Sequence, residues 1–416
     1  MIQVTKELNF YQNHNPLNLI ETYGSPLYVY NENILRKRCR EMANLVSYPH
    51  FHVNYAMKAN TNIHLLSIVR EEGLHVDISS EGEAVAAIAA GYTTDKMMFI
   101  VNNSSPTELQ YAINLGITVS VDSLSQLETY GKLNPGGKIC LRFNPGIGGG
   151  HHEKVITGGD GTKFGIMPSY IPDVLKILQK YNLTLIGINH HIGSQNWGDL
   201  YLEGVKELLT IAHQFPNLQF IDLGGGFAIP YNKQNGEKAM DIQSLGKELD
   251  TFISEFVESY GKQITFIIEP GRYIAAECGV LLGTVHSVKN CGQTHYTGTD
   301  LGFSVFARTT LYDAHHDIEV YRPTGKISSK LQETNIVGNQ CESGDYIAKK
   351  RNLPALQEED IIAVLDAGAY GYSMSSQYNH RPRPAEILIQ NDGSVRQIRR
   401  RDTFNDMLQN MLGVMQ

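Results

Sequence analysis

The chain has 416 residues, 35 Lys and Arg against 43 Asp and Glu, a formal net charge of −8, and 42% hydrophobic with 19% charged residues. That length points to two or three domains and that composition to a globular chain rather than a disordered one. The acidic balance makes nucleic acid an unexpected partner, and the lack of both an 18-residue apolar run and a signal-like N-terminus predicts a cytoplasmic protein without a membrane partner.

In chain order, 26–30 (PLYVY) reads as a strand. Eight short apolar segments then alternate with helical stretches: 51–55, 74–79, 97–101, 117–121, 138–143, 184–191, 219–223 and 264–268. Ser80 with Glu83, and Ser105-Pro106 with Glu108, are helix-start signals of the capping-box type, with Gly91 and Gly116 marking the ends. Eight strand-then-helix units in about 240 residues predict a (β/α)8 barrel over 33–280, with a doubly wound sheet as the structural alternative. After 280 the strand-like segments 280–288, 361–366, 386–390 and 395–399 lack long helices between them. They predict a β-rich domain formed by 1–32 with 281–416; the stretch 321–331 reads as loop.

The chemistry-bearing residues cluster where the barrel strands end, the face on which this fold places its chemistry. Lys58 follows the first strand, Asp77 lies in the second, Arg142 in the fifth, and His191 ends the sixth. A Gly224-Gly225-Gly226 triplet follows the seventh and Glu269-Pro270-Gly271-Arg272 the eighth. Taken singly, each has an ordinary reading: a solvated lysine, a plain turn, a strand end. Pairs such as His151-His152, His190-His191 and His315-His316 do not predict a metal, because adjacent strand residues face opposite ways. The run 399–401 (RRR) reads as a solvated strand end. Six features at one end of six strands, however, point to a phosphorylated ligand beside Lys58. A lysine next to a phosphate cradle suggests pyridoxal 5'-phosphate. Glu269 would face the ring nitrogen, His191 would stack on the ring, and Ser194, Gly225, Gly226, Gly271 and Arg272 would take the phosphate, with Asp77 counted among the cofactor residues.

These residues resemble a known family nearly end to end. Tyr55-Ala56-Met57-Lys58-Ala59-Asn60, His191-Ile192-Gly193-Ser194-Gln195, Leu223-Gly224-Gly225-Gly226-Phe227 and Glu269-Pro270-Gly271-Arg272-Tyr273 are similar to motifs of the fold-type III pyridoxal-phosphate decarboxylases. The resemblance continues in 341–345 (CESGD), 366–374 (DAGAYGYSM) and 378–384 (YNHRPRP), of which the first and last favour the diaminopimelate branch over the ornithine branch. The resemblance implies decarboxylation of meso-2,6-diaminopimelate to L-lysine, the last step of lysine biosynthesis, by a homodimer with shared active sites. It implies that Lys58 is the Schiff-base lysine, that Tyr370 contacts the cofactor and substrate, and that Cys341 of the partner subunit is the catalytic acid. Arg272, Arg308, Tyr312 and Glu342 would hold the distal end of the amino-acid substrate, where a planar guanidinium suits a carboxylate.

The chain departs from the family pattern at Ser304-Val305, where Asn-Asp is usual, at Thr309, where proline is usual, and at Asn189, where histidine is common. These departures keep open a decarboxylase of another basic or D-amino acid, of the ornithine, lysine or carboxynorspermidine type. A catalytically silent cofactor-binding relative is the reading from another class; Lys58, Glu269 and Cys341 together speak against it. A racemase on the same barrel is disfavoured by 341–345. Five cysteines, odd in number and without a C-x-x-C pair, fit a reducing compartment and neither a disulfide framework nor a zinc finger.

Overall fold

In the computed structural model, which describes residues 3–150 and 152–412, the chain lays down one strand, β1 (Leu27–Asn31), ahead of the eight that alternate with helices. Those eight are β2 (Phe51–Ala56), β3 (His75–Ile78), β4 (Met97–Ile100), β5 (Thr118–Val121), β6 (Lys138–Arg142), β7 (Thr184–Asn189), β8 (Phe220–Asp222) and β9 (Thr265–Ile268). They pair in parallel in that order and close when β2 meets β9, with Phe51 opposite Phe266 and Val53 opposite Ile268. Closure establishes the (β/α)8 barrel and rules out the doubly wound sheet, whose edges stay open. The chain reads this way because its strands are short apolar runs covered by helices on the outside, and buried polar residues such as Ser120 and Asn189 face inward. Ser120 Oγ donates to Asn189 Oδ1 at 2.7 Å; β5 and β7 are not neighbours, so this bond crosses the interior of the barrel.

Helix starts follow the caps. Ser105 accepts from the Glu108 N–H at 3.2 Å, Glu108 accepts from the Ser105 N–H at 2.8 Å, and Pro106 occupies the first turn of helix Pro106–Asn114. The box expected at Ser80 is only half formed. Ser80 accepts from the Glu83 N–H at 3.2 Å, but the Glu83 carboxylate reaches one residue further back, to the Ser79 N–H at 2.7 Å.

The chain divides into two compact units, the barrel from Arg36–Ile229 with Ala239–Ile274, and a β-rich unit from Met1–Leu35, Pro230–Lys238 and Ala275–Gln416. The β-rich unit holds β1 with β10 (Gly279–Cys291), β11 (Thr294–Thr299), β12 (Ile318–Tyr321), β13 (Leu331–Val337), β14 (Tyr346–Pro354), β15 (Ile361–Val364), β16 (Ala385–Ile389) and β17 (Val395–Arg399). The order β14-β13-β11-β10-β1-β16-β17 puts β1 between β10 and β16, with β15 joining β10 to β12. All residues of β1 and β16 are buried, and Leu27, Val29, Val280, Leu282, Ile387 and Ile389 form its apolar centre with Phe10 and Leu19. Strands β11, β13 and β14 escape the sequence pattern because polar residues make up about half of each, β12 (IEVY) is only four residues long, and β10 runs three residues past its apolar part. The run 399–401 is paired rather than merely solvated: Arg399 binds the buried Glu386, Arg400 binds Asp406, and Arg401 donates to the Pro26 carbonyl at 2.6 Å. Among the described residues no helix is long and apolar enough to cross a membrane.

The Ser105 box supplies an outcome that can be measured. Ser105→Ala should lower unfolding free energy by about 1 kcal/mol, the usual worth of an N-cap side chain; an unchanged urea midpoint at unchanged slope would contradict that role.

Candidate active site

The ends of the barrel strands bring nine predicted residues onto one unit. Lys58 sits in the 3-10 turn Met57–Ala59 directly after β2, and Asp77 lies within β3. Strand β7 stops at Asn189 rather than at His191, so His191 and Ser194 sit on the loop beyond it. Residues 224–226 follow β8, Glu269 follows β9, and Gly271 precedes the short helix Arg272–Ala275. Short strands are the reason: β2, β7, β8 and β9 end at 56, 189, 222 and 268, ahead of the loop residues they present.

Electrostatics at this end are dominated by buried carboxyls. Asp77, Asp222 and Glu269 are at most 5% exposed. Lys58 Nζ lies 3.6 Å from Asp77 Oδ2, with the lysine side chain itself 45% exposed. Arg142, the last residue of β6, donates to the His191 carbonyl at 3.3 Å and stacks its guanidinium 4.7 Å from the Phe164 ring centroid. Burial pushes the Glu269 carboxyl well above the ordinary carboxylate range, and the charges of Asp222 and Asp77 push it further. Burial also raises Asp222 to about 6, against the opposing hydrogen bond from Glu269. The two carboxyls therefore share a proton near neutral pH. Asp77 is raised by burial too, with Lys58 and Arg142 pulling it back down.

The half-buried His191 is neutral, because desolvation, Lys58 and Arg142 all hold its pKa well below the usual value. Its Nδ1 accepts from the Gly225 N–H at 3.2 Å, which leaves the ring hydrogen on Nε2. The Gly225 amide, expected to face an anion, is thus engaged by His191. A Cβ on Gly225 would collide with the Glu269 carbonyl, and Gly226 combines φ +99° with a similar collision at the Gly193 carbonyl. Only glycine gives this close backbone packing. Ser194 Oγ accepts from Arg272 Nη2 at 2.8 Å and from Nε at 3.2 Å.

Pyridoxal phosphate fits these residues. Asp77 Oδ1, Asp222 Oδ2 and Glu269 Oε1 are buried acceptors lacking a protein donor, as a protonated ring nitrogen requires. Beside them stand a lysine amine, a neutral imidazole, a glycine-lined turn and an Arg–Ser pair. Asp222 is the charged residue that sequence reasoning passed over; an aspartate closing a strand two residues before a glycine triplet was the available signal. No group of three or more His, Cys, Asp or Glu among the described residues is arranged for a metal ion, and His151 lies outside them.

The remaining predicted residues belong to the β-rich unit. Arg308 is buried, with its Nε donating to His316 Nε2 at 3.2 Å and its guanidinium 5.0 Å from the Tyr231 ring centroid. Tyr312 is half-buried just beyond helix Arg308–Leu311. Cys341 and Glu342 are exposed, and the structure joins their segment to 378–384: the Cys341 N–H donates to Asn379 Oδ1 at 3.0 Å, and the Tyr378 hydroxyl donates to Glu342. Asp345 steadies the turn by accepting from the Phe303 and Gln340 N–H groups at 2.7 and 2.8 Å. Tyr370 is half-buried with φ +56°. The departures from the family pattern are built into ordered structure. Ser304 Oγ accepts from Gln340 Nε2 at 2.6 Å, the Val305 carbonyl accepts from the Tyr28 hydroxyl at 2.7 Å, and the Thr309 hydroxyl donates to the Tyr346 carbonyl at 2.8 Å.

Comparison with known proteins gives the same picture. Residues 32–276 match the family model described as pyridoxal-dependent decarboxylase, pyridoxal binding domain. The diaminopimelate decarboxylase of Methanothermobacter thermautotrophicus is 39% identical over 94% of this chain and 92% of its own. That of Escherichia coli K12 is 36% identical over 95% of both chains. The crystal structure of diaminopimelate decarboxylase from Helicobacter pylori complexed with L-lysine is 29% identical, with a TM-score of 0.87 over 96% of this chain and all of that one.

The shared proton has a sign that can be read in stability. Carboxyls whose folded pKa is raised stabilise the fold below their unfolded pKa and lose that contribution as pH rises through the folded value. The cofactor-free protein should therefore lose stability from about pH 4 to above pH 6 on account of this pair. Asp222→Asn should flatten the decline; a melting temperature whose pH dependence matches wild type would show that the pair does not share a proton.

Proposed function

The chain belongs to the pyridoxal-dependent decarboxylase family, and from that premise we propose that it converts meso-2,6-diaminopimelate to L-lysine and carbon dioxide, the last step of lysine biosynthesis. The observation that carries this reading is near full-length similarity to diaminopimelate decarboxylases together with Lys58, His191, Glu269 and the glycine turn at one end of the barrel. When bound, pyridoxal phosphate supplies a protonated ring that accepts the electron pair left by the departing carboxylate.

The protein's own residues do the rest. Lys58 is the amine that would hold the cofactor, and Asp77, 3.6 Å from its Nζ, steadies the charge of the free amine. Glu269, backed by Asp222, keeps a proton at the ring nitrogen. His191, neutral and held by the Gly225 amide, offers a flat face to the ring. Ser194, Gly226, Gly271 and Arg272 form the phosphate end, while Gly225 contributes a backbone without a Cβ and commits its amide to His191. Tyr370 takes the role of contacting cofactor and substrate, and Arg308, Tyr312, Glu342 and Arg272 the role of binding the distal carboxylate and amine of the substrate. Cys341 delivers the proton to the carbon that has lost carbon dioxide. It acts from the partner subunit of a homodimer with shared sites, and the exposure of both Cys341 and Glu342 supports that arrangement. The paired carboxyls at Glu269 match the need for a protonated ring; the enzyme works in the cytoplasm.

A substrate panel tests the reaction. Carbon dioxide should be released from meso-diaminopimelate much faster than from ornithine, lysine or D-lysine under matched conditions, and the reverse order would move the specificity to another basic amino acid. Purified protein should be yellow, with the colour lost in Lys58→Ala; a folded, colourless wild type that pyridoxal phosphate does not reconstitute would leave the silent relative standing. Mixing Lys58→Ala with Cys341→Ala subunits should restore about one quarter of wild-type activity, because half of randomly exchanged dimers are mixed and each holds one intact site. No recovery, with exchange verified, would place Cys341 in its own subunit's site or outside catalysis.

A further inference from the structure

The segment Pro230–Lys238 interrupts the barrel's sequence, leaving after Ile229 and returning at Ala239, yet it is part of the β-rich unit. It begins four residues after Gly226 of the glycine turn. Two of its side chains reach into that unit in a way that neither loop packing nor solubility requires. Lys233 Nζ is buried between two carboxylates, 2.6 Å from Asp366 Oδ1 and 3.0 Å from Glu277 Oε1. The side chains of Lys233, Asp366 and Glu277 are 16%, 4% and 5% exposed. Tyr231 lies with its ring centroid 5.0 Å from the Arg308 guanidinium and 4.7 Å from the His316 ring.

These contacts form a circuit that starts and ends on the same nine-residue excursion. Lys233 holds Asp366. The neighbouring Leu365 carbonyl accepts from His316 Nδ1 at 2.7 Å, and His316 Nε2 accepts from Arg308 Nε at 3.2 Å. His316 is thereby committed to one tautomer, hydrogen on Nδ1. Arg308 returns the circuit to Tyr231. Gln234 adds a third tie, its N–H donating to Asp317 Oδ2 at 2.9 Å, and the Asp317 carbonyl accepts from the Leu365 N–H at 3.0 Å.

Asp366 opens the loop 366–370, which ends at Tyr370. Both residues are in the left-handed region, at φ +55° and +56°, where non-glycine residues persist only if their surroundings hold them. The loop is tied down by Ala367 N–H to the Gly279 carbonyl at 2.7 Å and Gly368 N–H to the Ala276 carbonyl at 3.0 Å. Two buried carboxyls compete for one ammonium, and burial raises Asp366 to about 7 against the pull of Lys233. An apolar cluster of the same volume would stabilise the fold as well or better, so a buried ion triad is better suited to specifying geometry than to adding stability.

We propose that Pro230–Lys238 is a positioning strap, in which Tyr231 sets the stance of Arg308 and Lys233 sets that of the Tyr370 loop, so that one excursion from the cofactor turn aligns a substrate-binding and a cofactor-binding residue. This rests on the roles assigned above to Arg308 and Tyr370. Lys233 and Tyr231 are positioning residues and touch neither ligand.

The test uses the full-length protein, stripped of cofactor and titrated with pyridoxal phosphate by absorbance, alongside steady-state kinetics on meso-diaminopimelate. Lys233→Met should raise the cofactor Kd about tenfold, as loss of a supporting partner commonly does, with Lys233→Arg restoring most of it. Tyr231→Leu should instead raise the substrate KM about tenfold with kcat within about twofold, and Tyr231→Phe should behave as wild type. Placed on Tyr370→Phe, Lys233→Met should add less than about twofold to the cofactor Kd, because both changes remove the same alignment. Full additivity, or a folded Lys233→Met within twofold of wild type, would overturn the strap. If Lys233→Met does not fold, Asp366→Asn, which keeps the shape and removes one charge, carries the same expectation, and a wild-type cofactor Kd in that variant would overturn the strap equally. A Tyr370→Phe protein with unchanged cofactor Kd and unchanged kcat/KM would overturn the role given to Tyr370 instead, a result separable from failure of the strap.

Discussion

Everything at the mouth of the barrel depends on a charge imbalance that burial makes expensive to leave alone. Asp77, Asp222 and Glu269 are withdrawn from water beside Arg142 and the partly exposed Lys58. Three carboxylates against two cations, in a setting that penalises net charge, retain a proton that water would have removed. Burial, with Lys58 and Arg142 adding to it, depresses His191, and buried carboxyl oxygens of Asp77, Asp222 and Glu269 are left without a donor from the described residues. A ligand with a basic ring nitrogen, an aldehyde that meets an amine, and a phosphate answers each of those needs at once. The site is thus defined less by any single residue than by what the set lacks.

Much of this was legible beforehand, for reasons that can be traced to particular residues. The barrel announced itself through spacing: eight apolar runs, each as long as a strand and bounded by helix caps such as Ser105 with Glu108. Lys58, Glu269 and residues 224–226 were conspicuous because they are polar or conformationally special residues following apolar strands. Asp222 was not, because it completes a strand-like run and only the closed barrel shows that it is backed against Glu269. The Ser80 box misled by one residue: sequence separation does not tell whether Glu83 will turn back to Ser80 or to Ser79.

The β-rich unit was harder to read. Its strands β11, β13 and β14 carry polar residues on faces open to solvent, so they lack the apolar alternation that marks a half-buried strand, and β12 is a buried run of only four residues. Membership of Pro230–Lys238 was invisible for another reason. Linear reading assigns a segment to the domain that surrounds it, whereas Lys233 finds its carboxylates at positions 277 and 366. The altered loop at 304–309 is also instructive: its unusual residues make hydrogen bonds of their own, so a change from the family pattern here is a different packing solution rather than a loss of order.

The place of β1 in the sheet bears on how the molecule is made. Its parallel partner is β16 and its antiparallel partner is β10, so residues 27–31 find their neighbours only after 279–291 and 385–389 have been synthesised. At ordinary elongation rates β1 waits roughly ten seconds to a minute for them. Over that interval the whole barrel sequence, which needs no later residue for its own ring of strands, has been completed. An apolar strand that emerges early and pairs late is exposed to competing partners, among them β1 of other nascent chains on the same message. Yield in a host cell is therefore expected to be governed by translation speed and chaperone supply over the second half of the message, independently of how stable the finished protein is.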